Sequence, residues 1–244
     1  MSQRFAGRLS LLRRAERGSS MRYRVPSKAP RISRHRLSGP VLLGSVLLLL
    51  LAGCGTTTVQ VTGDDFPTPI VPSIPLSLGV HYSEEFRRYS LQESVPQRGD
   101  WSIDIGSAQV NMLRTVLPAM FDRVVEVDSL EPETLPQGLN AILIPSVQEM
   151  QFAIPFQTRS NFFEVWIRYE MSLIDTRGDV IARWPVTAYG KTRSLMLETA
   201  EAAMRDAAIN ALRDAGAFLA IGFPNQQELR PWLESQLTAL DFTP

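Results

Sequence analysis

The stretch FFEVWIRYEMSLIDTRGDVIARWPVTAY, residues 162–189, decides the fold. Its first half alternates without interruption. Phe163, Val165, Ile167, Tyr169, Met171 and Leu173 share one parity, and Glu164, Arg168, Glu170 and Ser172 share the other. Successive side chains of a strand point to opposite faces, so the pattern predicts a strand with one core face and one face at least partly wet. DTRGD is a turn signal, and the alternation resumes beyond it in Val180, Ala182, Trp184 and Val186. Pro185 cannot donate to a ladder, which predicts that the second strand lies at an edge or carries a bulge.

Such a hairpin needs a layer over its apolar face, and the chain supplies one immediately downstream. In MLETAEAAMRDAAINALRDAGAFLAI, residues 196–221, Ala200, Met204, Ala207, Ala211, Ala215 and Leu219 recur every three to four residues. Side chains this small let a helix lie close against a sheet, and Gly222 and Pro224 end it. In the tail, Leu229, Trp232, Leu233, Leu237 and Leu240 share one face of a further short helix, which Pro231 places near Arg230 at its start.

Upstream, NAILIPSVQEMQFAIP (140–155) reads as another strand, with Pro145 at a bulge or break, and RVVEV (123–127) as a shorter one. Val110, Leu113, Leu117, Met120 and Phe121 predict a helix capped by Ser107 and kinked by Pro118. LSLGVHY (76–82) predicts a first strand, and SEEFRRYSLQES (83–94) shows no clear period. The order predicts an α+β fold: a mostly antiparallel sheet of four to five strands with two or three helices packed on one face. One domain is expected over residues 77–244.

The amino-terminal part has a different character. Residues 41–52 are an apolar run of about a dozen, too short to span a bilayer but the length of a signal-peptide h-region. Arg22, Arg24, Lys28, Arg31, Arg34 and Arg36 precede it as a basic n-region. Met21 offers a second start that shortens this n-region, with Arg13-Arg14 open to a twin-arginine reading. Leu51-Ala52-Gly53-Cys54 resembles the lipobox of bacterial lipoprotein precursors. The resemblance implies cleavage between Gly53 and Cys54 and acylation of Cys54, with residues 1–53 removed as a signal peptide. Several acyl chains would hold the protein stably in a lipid bilayer. Gly55 stands where lipoproteins kept in the inner membrane carry Asp, so the resemblance implies the periplasmic face of the outer membrane.

Residues 54–76 are Thr-rich and then Pro-rich, with Pro67, Pro69, Pro72 and Pro75, and read as a semi-rigid tether holding the body off the bilayer. Charge is divided in the same place. The chain holds 25 basic and 25 acidic residues; 11 of the basic and one of the acidic precede Cys54, leaving 14 and 24, a balance of −10. An acidic body whose one lysine is Lys191 is poorly suited to nucleic acid, whose affinity comes largely from Lys and Arg on phosphates.

Motifs for chemistry are weak. YGKT, 189–192, matches the end of a phosphate-binding loop, but Pro185 occupies the place of its first glycine. RGD, 177–179, reads first as a hairpin turn with Gly178 left-handed. Cys54 is the one cysteine and His81 the one histidine after it, so no disulfide, cysteine-rich zinc site or Cys-His pair can be assembled. No G-x-S-x-G elbow occurs, and the adjacent pairs Asp64-Asp65 and Glu84-Glu85 are not evidence of an acid/base couple. No catalytic residue, metal ligand or cofactor is assigned.

What remains is surface. Phe162, Trp166 and Ile174 fall on the strand face opposite the core, Lys191, next to Arg193, is a further candidate contact, and Trp232 on the tail helix offers a second patch or a cover for the first; these five form the candidate partner surface. In element order the body is similar to the small α/β domains of the lipopolysaccharide-assembly and curli-secretion lipoproteins, with no functional residue matched to either. The expectation is a lipid-anchored, non-enzymatic assembly, scaffold or transport-accessory subunit that contacts envelope proteins. The alternatives are a lipid or small-molecule binding module with an apolar pocket, and a periplasmic hydrolase using carboxylates in one cleft.

Overall fold

The computed structural model describes residues 55–63 and 65–241. In chain order the strands are β1 (Thr57–Gln60), β2 (Ile74–Val80), β3 (Ser90–Val95), β4 (Gly99–Asp104), β5 (Phe121–Glu126), β6 (Ala141–Ala153), β7 (Phe162–Ile174) and β8 (Val180–Arg193). The helices are α1 (Glu84–Arg87), α2 (Gly106–Met120), α3 (Pro155–Thr158), α4 (Ala200–Gly222) and α5 (Arg230–Asp241). The fold is α+β, as the hairpin and its covering helix predict, but the sheet is not single. One sheet has five strands in the order β5-β2-β6-β7-β8, and a second has three in the order β1-β4-β3. The larger sheet is mixed: β2 runs parallel to both β5 and β6, while β6, β7 and β8 are antiparallel.

The 162–189 hairpin forms as read. Along β7, Phe163, Val165, Ile167, Tyr169, Met171 and Leu173 are buried. Asp175 makes the turn by accepting the N–H groups of Arg177 at 2.8 Å and Asp179 at 2.9 Å, with Gly178 at φ +91°. β8 is an edge strand. Tyr189 N–H and the Lys191 carbonyl both point away from β7, to Asp214 and Asn210 of α4. Alternate residues of an antiparallel strand aim their backbone groups the same way, so Pro185 falls where an N–H would project from the free edge. Pro145 likewise lies past the end of the β2–β6 pairing, which reaches Leu143.

α4 covers the buried face through Ala203, Met204, Ala207, Ala208, Ala211, Leu212, Ala215 and Leu219. Thr199 caps it by accepting the Ala202 N–H. α2 packs beside it and runs straight into β5; Pro118 sits in its last turn, and the N-terminal flank is Ile105, not the expected Ser107. Phe223 joins the layers, its ring 5.2 Å from Phe121 and 5.6 Å from Trp184.

Two further expectations are corrected. The stretch without a clear period holds α1 and β3. Ser83 caps α1 by accepting the Phe86 N–H at 3.1 Å. β3 is an edge strand that buries only Val95, so it has no apolar alternation to read. The expected tether is folded as well. β1 pairs in parallel with β4, and Val59, Val61 and Phe66 are buried. The run TTVQV is itself a period-two pattern, with Thr58 and Gln60 outward and Val59 and Val61 inward. The segment then crosses the helices as a strap. Asn111 of α2 donates to the Gly63 carbonyl at 3.4 Å, and Arg205 and Arg213 of α4 donate to the carbonyls of Gln60 at 3.1 Å and Asp65 at 3.3 Å. Spaced prolines exclude helix but do not prevent an extended chain from packing. Gly53 and Cys54 lie outside the described residues.

Candidate functional site

Helices and the small sheet fill one face of the large sheet, and the other is open over β6, β7 and β8. Strand parity selects its side chains. Trp166 of β7 stands opposite Tyr189 of β8 and Gln151 of β6, and Arg168 stands opposite Glu149 and Thr187. The Trp166 and Tyr189 rings pack at 5.2 Å between centroids, yet each residue keeps over a third of its surface exposed, 36% and 37%. The Tyr189 hydroxyl donates to Glu164 at 3.1 Å, and both burial and that carboxylate push the phenol pKa upward.

Next along the face, the Lys191 ammonium lies 5.1 Å from the centre of the Phe162 ring. A cation over an aromatic face is attracted by the ring quadrupole. On the other side of Trp166, Arg168 pairs with Glu149 at 2.9 Å. A shallow depression of about 260 Å³ opens between Trp166, Arg168, Glu149, Gln151 and Thr187. The result is an aromatic centre flanked by the Arg168–Glu149 ion pair and by the Lys191 ammonium over Phe162, the composition of a contact surface with a polar rim.

Of the five residues expected here, the structure brings three together: Phe162, Trp166 and Lys191. Ile174 is corrected. It is 7% exposed and packs with Val127, Leu139 and Ile142 in a small second core, which the 127–140 connection builds over that end of the sheet. Trp232 is also separate. It is half-buried on α5, which docks at the opposite end of β6, where Gln236 accepts from Asn140 at 2.9 Å. Tyr189 was missed by sequence reasoning. The signal was available, since its odd number sets it opposite in parity to Ala182, Trp184 and Val186.

A different surface feature lies at α5. Val71, Ile74, Met120, Ile221, Leu233 and Leu237 line a groove of about 600 Å³. Elsewhere, His81 Nδ1 lies 3.0 Å from the Val127 carbonyl and ties β2 to the start of the second core. Among the described residues, no three His, Cys, Asp or Glu side chains gather as a metal site. Among the same residues, no helix is long and apolar enough to cross a membrane.

No family model matches the chain, and no curated protein is similar to it in sequence. Solved structures are similar to it. A Xanthomonas campestris protein of family DUF330 shares 14% identity over 72% of this chain and 98% of its own, with a TM-score of 0.45. A minor lipoprotein of Acinetobacter baumannii shares 11% over 62% and 92%, at 0.36. A lipoprotein of Neisseria meningitidis shares 14% over 49% and 85%, at 0.27. None of these likenesses assigns a role to a residue of this chain.

Proposed function

We propose that the chain is a lipid-anchored, non-enzymatic protein of the bacterial envelope. It is held through Cys54 at the periplasmic face of the outer membrane and serves as an assembly, scaffold or transport-accessory subunit. The observation that carries the reading is a juxtaposition. A signal-peptide pattern ends at Cys54, and the fold that starts at Thr57 keeps the Phe162–Trp166–Tyr189–Lys191 face open while the opposite face is filled. Aromatic side chains that remain exposed on a rigid sheet are the usual anchors of protein contacts.

The test uses the full chain in a Gram-negative host. Mass spectrometry of the mature protein should show an acylated amino terminus at Cys54, and membrane separation should find it with the outer membrane. Cys54→Ala should abolish both. An unacylated precursor, or acylated protein in the inner membrane, would overturn the anchor or the address respectively.

The α5 groove favours a second reading, a lipid or small-molecule binding module. Its apolar lining with Arg230, Glu234 and Asn225 at the rim is the make-up of a ligand cleft. A co-purifying ligand displaced by Leu233→Glu would support this reading, and its absence from native protein would count against it.

A further inference from the structure

We infer that the end of the body nearest Cys54 lies on an anionic phospholipid surface, with Leu195, Met196, Leu197 and Phe156 entering the headgroup layer. The inference rests on the acylation of Cys54 proposed above. Chain connectivity brings these residues to one end. β6 finishes at Ala153, β7 begins at Phe162 and β8 finishes at Arg193, with Phe162 opposite Arg193 and the Ser194 N–H donating to Asn161 at 2.8 Å. β4 starts at the same end, since Trp101 packs on Phe152 and Phe163 at 5.6 and 6.4 Å. Thr57 pairs with Trp101, so the chain enters the fold there. The Arg98 guanidinium sits 4.3 Å from the centre of the Phe156 ring, and a Cβ on the neighbouring Gly99 would be 3.5 Å from the Gly55 carbonyl.

Cys54 precedes Thr57 by three residues, at most about 11 Å of extended chain. Acyl chains on Cys54 would therefore hold this end against the bilayer, not tens of ångströms away. Its chemistry differs from the rest of the body. Segments 154–162 and 190–197 hold Arg159, Lys191 and Arg193 and no acidic residue, in a chain whose balance from Cys54 onward is −10. Of the nearby acids, Glu93, opposite Trp101, and Asp206, which lines a depression with Lys191, are exposed, and three others are engaged or turned in. Glu164 accepts from Tyr189, Asp100 accepts from Ser94, and Glu198 Oε2 is buried.

At the tip, Met196 is 98% and Leu197 101% exposed, with Leu195 and Phe156 about half exposed. Consecutive bare apolar residues beside arginine and lysine match the interfacial region of a bilayer, where apolar groups leave water and cations meet anionic headgroups. The acidic remainder of the surface would be repelled by the same headgroups, which selects this end over the others.

The test places an environment-sensitive fluorophore on Met196→Cys in the full acylated chain, where Cys54 is blocked by its thioether. A second protein carries the label at Val180→Cys, at the far end of β8. Both are reconstituted into phosphatidylethanolamine vesicles containing phosphatidylglycerol, and into phosphatidylcholine vesicles. At position 196 the emission should shift to the blue and be quenched by brominated acyl chains, several-fold less in phosphatidylcholine or after Arg159→Gln with Arg193→Gln. At position 180 it should stay aqueous. An aqueous signal at 196 from acylated protein overturns the contact and leaves the anchor standing. Protection at 196 only in native envelopes points to a protein partner and overturns the lipid surface. Protein whose mass shows no acyl chain overturns the anchor, and this inference with it.

Discussion

Gly190 of β8 and Ala207 of α4 approach so closely that a Cβ on Gly190 would stand 2.1 Å from the Ala207 carbonyl oxygen and 2.2 Å from the Ala211 nitrogen. Here the edge strand touches helix backbone. The glycine that lends YGKT its likeness to a phosphate loop is instead the place where sheet and helix meet.

Gly190→Ala should therefore push β8 away from α4. Overpacking a filled core costs about 1–3 kcal/mol and sometimes more, and a clash with helix backbone, which cannot rotate away as a side chain can, belongs at the upper end. Urea unfolding should show that loss. Arg193→Gln, at the exposed end of the same strand, should leave the midpoint nearly unchanged.

Gln109 is the one buried polar residue of the core among those described. Its amide donates to the Phe86 carbonyl at 2.6 Å and its oxygen accepts from the Tyr169 hydroxyl at 3.2 Å, so it ties α1 and α2 to β7. Burial, and then the nearby Tyr89, push the Tyr169 phenol pKa upward. Tyr169→Phe leaves the Gln109 oxygen without this donor and should cost about 1–3 kcal/mol. Adding Gln109→Leu to it should cost less than the two single changes together, because two partners removed jointly leave fewer orphans.

What could be read from sequence depended on whether a segment carries its own pattern. β7 and β8 are long and half-buried, so Phe163 to Leu173 announce strand, face and core at once. α4 announces itself through its alanines. β3 buries one residue at an edge, and β4 shows only Trp101 and Ile103, so neither rises above the charged residues around it. β1 was hidden in a composition that reads as spacer, although Val59 and Val61 alternate. Sheet order was not legible, because the parallel pairing of β2 with both β5 and β6 depends on contacts far apart in the chain. The open face was legible in Phe162, Trp166 and Lys191. Ile174 was not, since its parity is right and only the 127–140 connection decides that it is covered.

Glu126 should give the fold a pH dependence of definite sign. Partial burial disfavours its charge, but hydrogen bonds from Arg114, the shortest of them at 2.8 Å, and a still closer one from Arg87 hold its pKa below the ordinary carboxylate value. A depressed folded pKa contributes stability that is complete above the unfolded value, near 4.3 for Glu, and is lost as pH falls through the folded value. With Glu126 a third exposed, solvent screening limits the contribution to about 1 kcal/mol or less. Glu126→Gln should therefore be less stable than the parent at pH 7, and urea midpoints of the two should converge in acid.

Trp166 and Ile174 lie on the same strand and the same parity, and they should answer differently to substitution. Ile174 fills the second core, so Ile174→Ala should cost about 2–5 kcal/mol in urea unfolding. Trp166 packs on Tyr189 but stays exposed, and losing that ring contact should cost only about 0.5–1.5 kcal/mol. The cost of Trp166→Ala should appear instead in binding. If the open face holds an envelope partner, a central aromatic anchor accounts for at least about 2 kcal/mol, more than a tenfold loss of affinity. A photo-crosslinker at Thr187, beside Trp166 in the depression, reads this directly in intact cells. The adduct formed by the parent should fall sharply with Trp166→Ala and persist with Trp232→Ala, because α5 lies at the other end of β6. Equal loss from both substitutions, or none from Trp166→Ala, would move the partner surface away from this face.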